Sequence, residues 1–276
     1  MKRIVTIQDI SCLGKCSLTV ALPIISAVGV EAAIIPTAVL STHTMFKNFT
    51  CKDLDDQITP IARHWKNEGI AFDAFYTGYL ASPKQIDKVS SLIDSLKREN
   101  DLVIVDPAMA DHGRLYPAFD DSFPKEMARL CSKADIILPN ITEACMMTNT
   151  EYKSEYDESF AKEILKKLTS LGAKKAVLTG AEYGGKYGVM LYDSTTGEYF
   201  NYYQKKIDAI FHGTGDIFSS TFTGLLVRGK PIEECVKIAA DYTAECIKIT
   251  MNDQKANWYG VDFEKAIPYL VDRIRS

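Results

Sequence analysis

Short β-rich runs alternate with segments of helical period over the first two-thirds of the chain, and few folds accommodate that alternation. Residues 2–8, 31–39, 71–77, 102–105, 135–138 and 176–179 read as strands. Residues 15–28, 54–66 and 83–98 read as helices between them, with a further helix marked by Phe160, Ile164, Leu165 and Leu168. Pro83 suits a first helical turn, and Ile86, Val89, Leu92, Ile93 and Leu96 then recur on one face. The runs at 102–105 and 135–138 are unbroken and apolar, as strands covered on both sides must be. A strand, a helix and another strand build a parallel crossover, so the expected class is α/β, a mostly parallel central sheet covered on both faces. Residues 187–192 and 198–203, separated by 193–197, then predict a β-hairpin, and 231–251 and 262–274 predict helices. No repeat, low-complexity tract or linker interrupts the chain, so one domain over residues 1–276 is expected.

Charge and composition exclude several functions. The 276 residues carry a net charge of -4 and no run of Lys and Arg, which argues against a general nucleic-acid binder. The longest apolar stretch, residues 20–40, contains Pro23, Gly29, Glu31 and Pro36, and reads as a helix followed by a strand, not as a membrane span. Strand-like residues begin at Ile4 with no apolar h-region before them, so no signal peptide is expected. The seven cysteines, at 12, 16, 51, 131, 145, 235 and 246, include no Cys-x-x-Cys pair, and the four histidines lie far apart. That pattern fits reduced thiols in a cytoplasmic protein and assigns no transition metal.

Open parallel sheets bind ligands at the carboxyl ends of their strands. The polar residues that close the predicted strands are Gln8-Asp9, residues 41–44, Thr77-Gly78-Tyr79, Asp106, Asn140 with Glu143, and Thr179-Gly180. To these the chain adds Gly213-Thr214-Gly215-Asp216, followed by Ile217, Phe218, Ser219, Ser220, Phe222, Gly224 and Leu225 at a spacing that suits a buried helix. Both glycines are expected at positive φ, letting N–H groups at the helix start converge on an anion such as a phosphate. Asp216, beside that anion hole, could accept the proton of a hydroxyl attacking the held phosphoryl group. The plainer reading is that Thr214 or Asp216 caps a helix. Asp106-Pro107 is equally a turn, and Asn140 with Glu143 equally a capping box. Taken together, Asp106 and Glu143 end neighbouring strands, where Mg²⁺ rich in water and phosphate ligands would be held. Residues 180–186 match the first seven positions of a P-loop, but Tyr187 cannot replace its Ser/Thr and a strand follows where a helix is needed, so a hairpin loop is expected there.

The order Asp106-Pro107, Asn140-x-x-Glu143 and Gly213-Thr214-Gly215-Asp216 resembles the ribokinase-like superfamily of ATP-dependent kinases, whose fold is a three-layer α/β/α sandwich. Ile7-Gln8, Leu40-Ser41-Thr42-His43-Thr44, Gly78-Tyr79-Leu80 and Asp106-Pro107 are similar to the pyridoxal kinase branch, bacterial pyridoxamine kinases included. The resemblance covers nearly the whole chain. It implies transfer of the ATP γ-phosphate to the 5'-hydroxyl of pyridoxal, pyridoxamine or pyridoxine. Asp216 would be the base, and the N–H groups of Gly213, Thr214, Gly215 and Asp216 would hold the anion as charge moves onto the leaving oxygen. Asp106 and Glu143 would place Mg²⁺, in part through water. Asn140, Thr214, Thr179 and Gly180 would meet the nucleotide, and Asp111, in a cover over residues 110–117, its γ-phosphate or metal. Thr44 and Tyr79 match ring-contacting positions, with His43 adjacent. A cytoplasmic homodimer is the implied assembly.

Two departures matter. Asp9 stands where many relatives carry Ser, and a carboxylate there suits a protonated amine or pyridinium, hence pyridoxamine. Leu138 stands where some relatives carry a threonine that helps hold a monovalent cation, so that cofactor is left open. The alternatives are a hydroxymethylpyrimidine kinase of thiamin synthesis, whose relatives often have cysteine at the position of Asp216, and a non-catalytic binder of pyridoxal 5'-phosphate. The Gly-Gly-x-x-x-Asn segment of sugar kinases is missing.

Overall fold

The computed structural model of the chain describes residues 1–209 and 211–275. Its elements run β1 (Arg3–Ser11), α1 (Leu18–Ala27), β2 (Glu31–Leu40), β3 (Cys51–Asp53), α2 (Asp55–Asn67), β4 (Ala74–Thr77), α3 (Pro83–Leu96), β5 (Leu102–Val105), β6 (Ala110–Asp111) and β7 (Arg114–Leu115). There follow α4 (Phe123–Cys131), β8 (Ile136–Ile137), α5 (Ile141–Met147), α6 (Glu158–Ser170), β9 (Lys175–Tyr183), β10 (Lys186–Asp193), β11 (Glu198–Gln204), α7 (Thr214–Arg228), α8 (Ile232–Asn252) and α9 (Phe263–Arg275). They fall into two compact units, one of Met1–Tyr76, Ser95–Asp101 and Ile207–Ser276, the other of Thr77–Asp94 and Leu102–Lys206.

In the first unit β3, β2, β1 and β4 lie side by side, with β1 and β2 parallel and β3 antiparallel to β2. Central position buries β1 on both faces, which is why Ile4, Val5 and Ile7 are continuous apolar residues and Thr6 and Gln8 bond each other. The strand runs three residues past the expected end. Its register on β2 shifts between Gln8 and Ile10, and Ile10 and Ser11 then pair with Val39 and Leu40. Asp9 sits at that irregularity, within the strand rather than after it. Helix α1 starts at Leu18 and not at residue 15, because Gly14 and Ser17 take φ of 155° and 52°, outside the helical region. Helix α7 packs against α1 and α8 and is buried on nearly every side, as its apolar and small residues require. Gly224 allows that close approach, since a Cβ there would press into the Val28 side chain.

In the second unit the order is β5-β8-β9-β10-β11, the first two pairings parallel and the last two antiparallel. The expected hairpin is present as β10 and β11. Strand β9 runs on to Tyr183 instead of stopping at residue 179, so the P-loop-like segment is strand and turn, with Gly184 and Gly185 at φ of 56° and 73° closing a two-residue turn. The short hairpin of β6 and β7, turned at His112 and Gly113, and helix α4 are additions that the sequence pattern did not mark. Helix α5 starts with the capping box anticipated from Asn140 and Glu143.

Lys15 ties two segments of the first unit together. Its Nζ meets Asp262 at 2.9 Å and Glu264 at 2.7 Å, fastening the chain before α1 to the start of α9. Burial disfavours the ammonium, but Glu264 and Asp262 outweigh it and hold the Lys15 pKa above its usual value. Lys15→Met should lower stability by about 1–3 kcal/mol, the range for hydrogen bonds to charged groups, read from the urea midpoint at constant m-value. Lys265, at 2.8 Å from Asp262, keeps the loss from being larger.

Candidate active site

The glycine turn opens α7 as expected, but its two glycines differ. Gly213 is the N-cap, left-handed at φ 81°, and a Cβ there would collide with the Lys15 carbonyl oxygen. Gly215 lies inside the first helical turn with open space where a Cβ would be, so its backbone does not require glycine. Free room above first-turn N–H groups, with the positive end of the dipole behind them, is what an anion needs. Thr214 Oγ1 donates to the Phe211 carbonyl at 3.4 Å, and no side chain caps the helix. Asp216 is the acidic residue of that turn and is half-buried.

Asp9 belongs with it. The Asp9 carboxyl is buried, accepts from Ser11 Oγ at 3.3 Å and is also bonded by Ser17. Burial raises its pKa more than the serines lower it. The Cys16 thiol is pushed up to about 12 by burial and then by the charges of Asp216 and Asp9, so one sulfur lies within electrostatic reach of both carboxylates. His43 is buried, and both of its ring nitrogens are engaged: Nδ1 accepts from the Met45 N–H at 3.2 Å, and Nε2 donates to the Tyr259 carbonyl at 3.0 Å. It can therefore offer a ligand its ring but not a nitrogen. Burial and then His212 hold its pKa below 6.5. Thr44, next in sequence, is exposed.

The second unit carries the other expected residues. Glu143 is buried and takes three backbone donors: Met109 and Ala110 on one oxygen at 2.9 and 3.4 Å, Asn140 on the other at 2.9 Å. Asp106 accepts from the Ala108 N–H at 3.2 Å. Burial and then the Asp106 charge raise the Glu143 pKa. Two carboxylates that resist ionising together suit a hard divalent cation; Asp106 would hold it directly and the occupied Glu143 through water. Among the described residues no group of three or more His, Cys, Asp or Glu side chains could hold a metal ion, so water and phosphate would complete such a shell. Asn140 caps α5 through Oδ1 and donates Nδ2 to the Ala110 carbonyl at 2.8 Å. Thr179 bridges to Asn140, and Gly180 follows it at φ 61°. Asp111 is exposed on the β6–β7 hairpin, which is pinned to the start of α5 by Glu143, Asn140 and the Gly113 N–H on Thr142. Tyr79 is half-buried, its ring 5.4 Å from that of Phe119.

A phosphomethylpyrimidine kinase family pattern matches residues 22–259 of the chain. The chain belongs to this family. A candidate phosphomethylpyrimidine kinase of Bacteroides thetaiotaomicron VPI-5482 is 36% identical, with a TM-score of 0.94 over 98% of this chain and 93% of that one. A second crystal form of that protein, with pyridoxal, matches at 35% identity and a TM-score of 0.92 over 98% of this chain and 95% of that one. Pyridoxal kinase of Lactobacillus plantarum is 27% identical, with a TM-score of 0.90 over 99% and 97%. Pyridoxal kinase of sheep, Ovis aries, is 26% identical over 79% of this chain and 75% of its own. The expected α/β fold with a mostly parallel sheet and helices on both sides is thus established, and the chain is a phosphotransferase of this kinase family.

Sequence reasoning missed Ser11, Ser17, Cys16 and Lys15. Gly14 was the available signal, since a glycine before Lys15 argues against starting a helix there. The two glycines of the turn can be told apart experimentally. Gly213→Ala should destabilise this kinase by more than 1 kcal/mol, roughly the cost of a forced left-handed residue, and lower its Tm. Gly215→Ala should leave Tm unchanged or raised, because Ala is the better helix former, while activity falls at least about tenfold. In the second unit, Glu143→Gln must turn an amide NH₂ toward a backbone donor and should cost about 1–3 kcal/mol. It should also change the pH profile. A raised folded-state pKa means that without cation the Glu143 contribution declines as pH rises above the unfolded value of 4.5; urea titrations of the Gln variant should lack that slope.

Proposed function

We propose that this kinase transfers the γ-phosphoryl group of ATP to the 5'-hydroxyl of a B6 vitamer: pyridoxal, pyridoxamine or pyridoxine. The observation that carries the reading is Asp216 in the first turn of α7, behind a glycine turn with open space over Gly215. The crystal form of the 35% identical relative with pyridoxal supports the acceptor. The Asp216 carboxylate accepts the hydroxyl proton as the oxygen bonds to phosphorus, and the bond to the β-phosphate oxygen breaks to release ADP. First-turn N–H groups of Thr214, Gly215 and Asp216 steady the charge that grows on the phosphoryl oxygens. Asn140, Thr179, Gly180, Thr214 and Asp111 serve the nucleotide, and Asp106 and Glu143 its Mg²⁺, which when bound neutralises phosphate charge. Thr44, Tyr79, Asp9 and the His43 ring serve the acceptor. The chain acts as one functional domain, in a cytoplasmic homodimer.

A second reading, hydroxymethylpyrimidine kinase, is favoured by the family pattern that matches residues 22–259. Asp216 in place of the cysteine common in such enzymes disfavours it. ADP release measured with the three B6 vitamers and hydroxymethylpyrimidine separates the two, and a protein that binds pyridoxal 5'-phosphate without turnover would be neither. Asp216→Asn should lose about 10²–10⁴-fold in kcat, the usual share of a general base; full rate in that variant overturns the mechanism.

Asp9 sets the preference among vitamers. A buried carboxyl whose charged form burial disfavours is steadied by a cation, which favours the aminomethyl group of pyridoxamine over the aldehyde of pyridoxal. Asp9→Ser should cut the ratio of kcat/KM for pyridoxamine to that for pyridoxal by about tenfold, the scale of one charge-assisted hydrogen bond. An unchanged ratio removes the idea.

A further inference from the structure

Trp258 is 62% exposed, an unusual place for an indole unless something covers it. The loop that bears it is held in place. The Tyr259 carbonyl accepts from His43 Nε2 at 3.0 Å, and Gly260 leaves no space for a Cβ against the Lys15 side chain. Just beyond, Asp262 and Glu264 bind Lys15 Nζ. The same lysine touches the catalytic turn, since its carbonyl excludes a Cβ at Gly213.

A row of rings connects the exposed indole to that turn. The Trp258 ring centroid lies 4.6 Å from Phe46 and 5.9 Å from His43. His43 lies 5.0 Å from Phe46 and 5.1 Å from His212, the residue immediately before Gly213. Leu13 and Met45 are also exposed, and the Leu13 carbonyl accepts from the His43 N–H at 3.3 Å. The surface is thus apolar, rich in π faces and continuous with the residue that leads into the anion turn. A flat aromatic occupant suits this row of rings, and because the row ends at His212, before the turn that leads to Asp216, an aromatic alcohol such as the acceptor is the occupant it fits.

We infer that Trp258, supported by Phe46, is the wall on which the heteroaromatic ring of the acceptor stacks. The inference rests on the kinase reading above and adds a specificity residue from the loop between α8 and α9. It selects for a π face and tolerates either a pyridine or a pyrimidine.

The test uses the full chain. Trp65→Phe leaves Trp258 as the sole tryptophan of the 2 in the chain, and acrylamide quenching of its fluorescence is measured with pyridoxamine and with hydroxymethylpyrimidine, without nucleotide. Saturable protection by either ring is expected. In the otherwise unaltered kinase, Trp258→Ala should raise KM for the acceptor about tenfold with KM for ATP and kcat within about twofold, and Trp258→Phe should recover most of the loss. No protection in an enzyme that turns over, or an unchanged acceptor KM in Trp258→Ala, overturns the inference and leaves the kinase reading intact. Protection that grows with protein concentration in the absence of ligand assigns the surface to self-association and also overturns it. Protection by a ring without any phosphorylation of it upholds the ring wall and removes the reading of that compound as the phosphoryl acceptor.

Discussion

The carbonyl oxygen of Lys15 fills the place where residue 213 would carry a side chain, and much of the first unit is arranged around that contact. Because only glycine fits, the chain turns left-handed at 213 and enters α7 without a side-chain cap on its first turn. The ammonium of the same lysine is held by Asp262 and Glu264 at the start of α9, and its side chain packs on Gly260. One residue therefore contacts both the glycine turn before α7 and the loop that presents Trp258. A surface salt bridge would be too weak for this; here Lys15 is 13% and Asp262 7% exposed, and their attraction is less screened by solvent.

Charge organises both units in the same way. Asp9 and Asp216 lie within reach of one thiol in the first, and in the second burial and then the Asp106 charge raise the Glu143 pKa. Burial works against ionisation of Asp9 and of Glu143, so a nearby cation would favour the charged form of either. The supporting hydrogen bonds differ. Glu143 spends both oxygens on backbone donors and so fixes the loop after β5, whereas Asp9 is bonded by the hydroxyls of Ser17 and Ser11 and, more weakly, by its own backbone N–H. A carboxyl bonded by hydroxyls that can rotate keeps lone pairs for a ligand; one bonded by three fixed N–H groups is largely structural.

Periodicity made most of the fold legible. The unbroken runs at 102–105 and the helical face from Ile86 to Leu96 correspond to β5 and α3, and the capping box at Asn140 is present as read. What escaped was local. The β6–β7 hairpin is two residues a side, too short for a period, and is held by side chains of α5 far along the chain. Helix α1 lost its expected first turn to the backbone at Gly14 and Ser17, which apolar spacing does not report.

The candidate site was legible as a set of residue types and illegible as a division of labour. Gly213 and Gly215 look equivalent in sequence, yet one is required by a carbonyl and a left-handed backbone and the other only by the room a ligand would use. His43 is marked in the sequence only as the neighbour of a ring-contacting position; in the structure two backbone groups have claimed its nitrogens and left its faces. That leaves a buried imidazole with both nitrogens engaged, whose ring lies near those of Phe46, His212, Trp258 and Tyr259. Locking its tautomer with two backbone bonds gives a rigid aromatic edge beside the anion turn, and rigidity lowers the entropic cost of seating a flat ring.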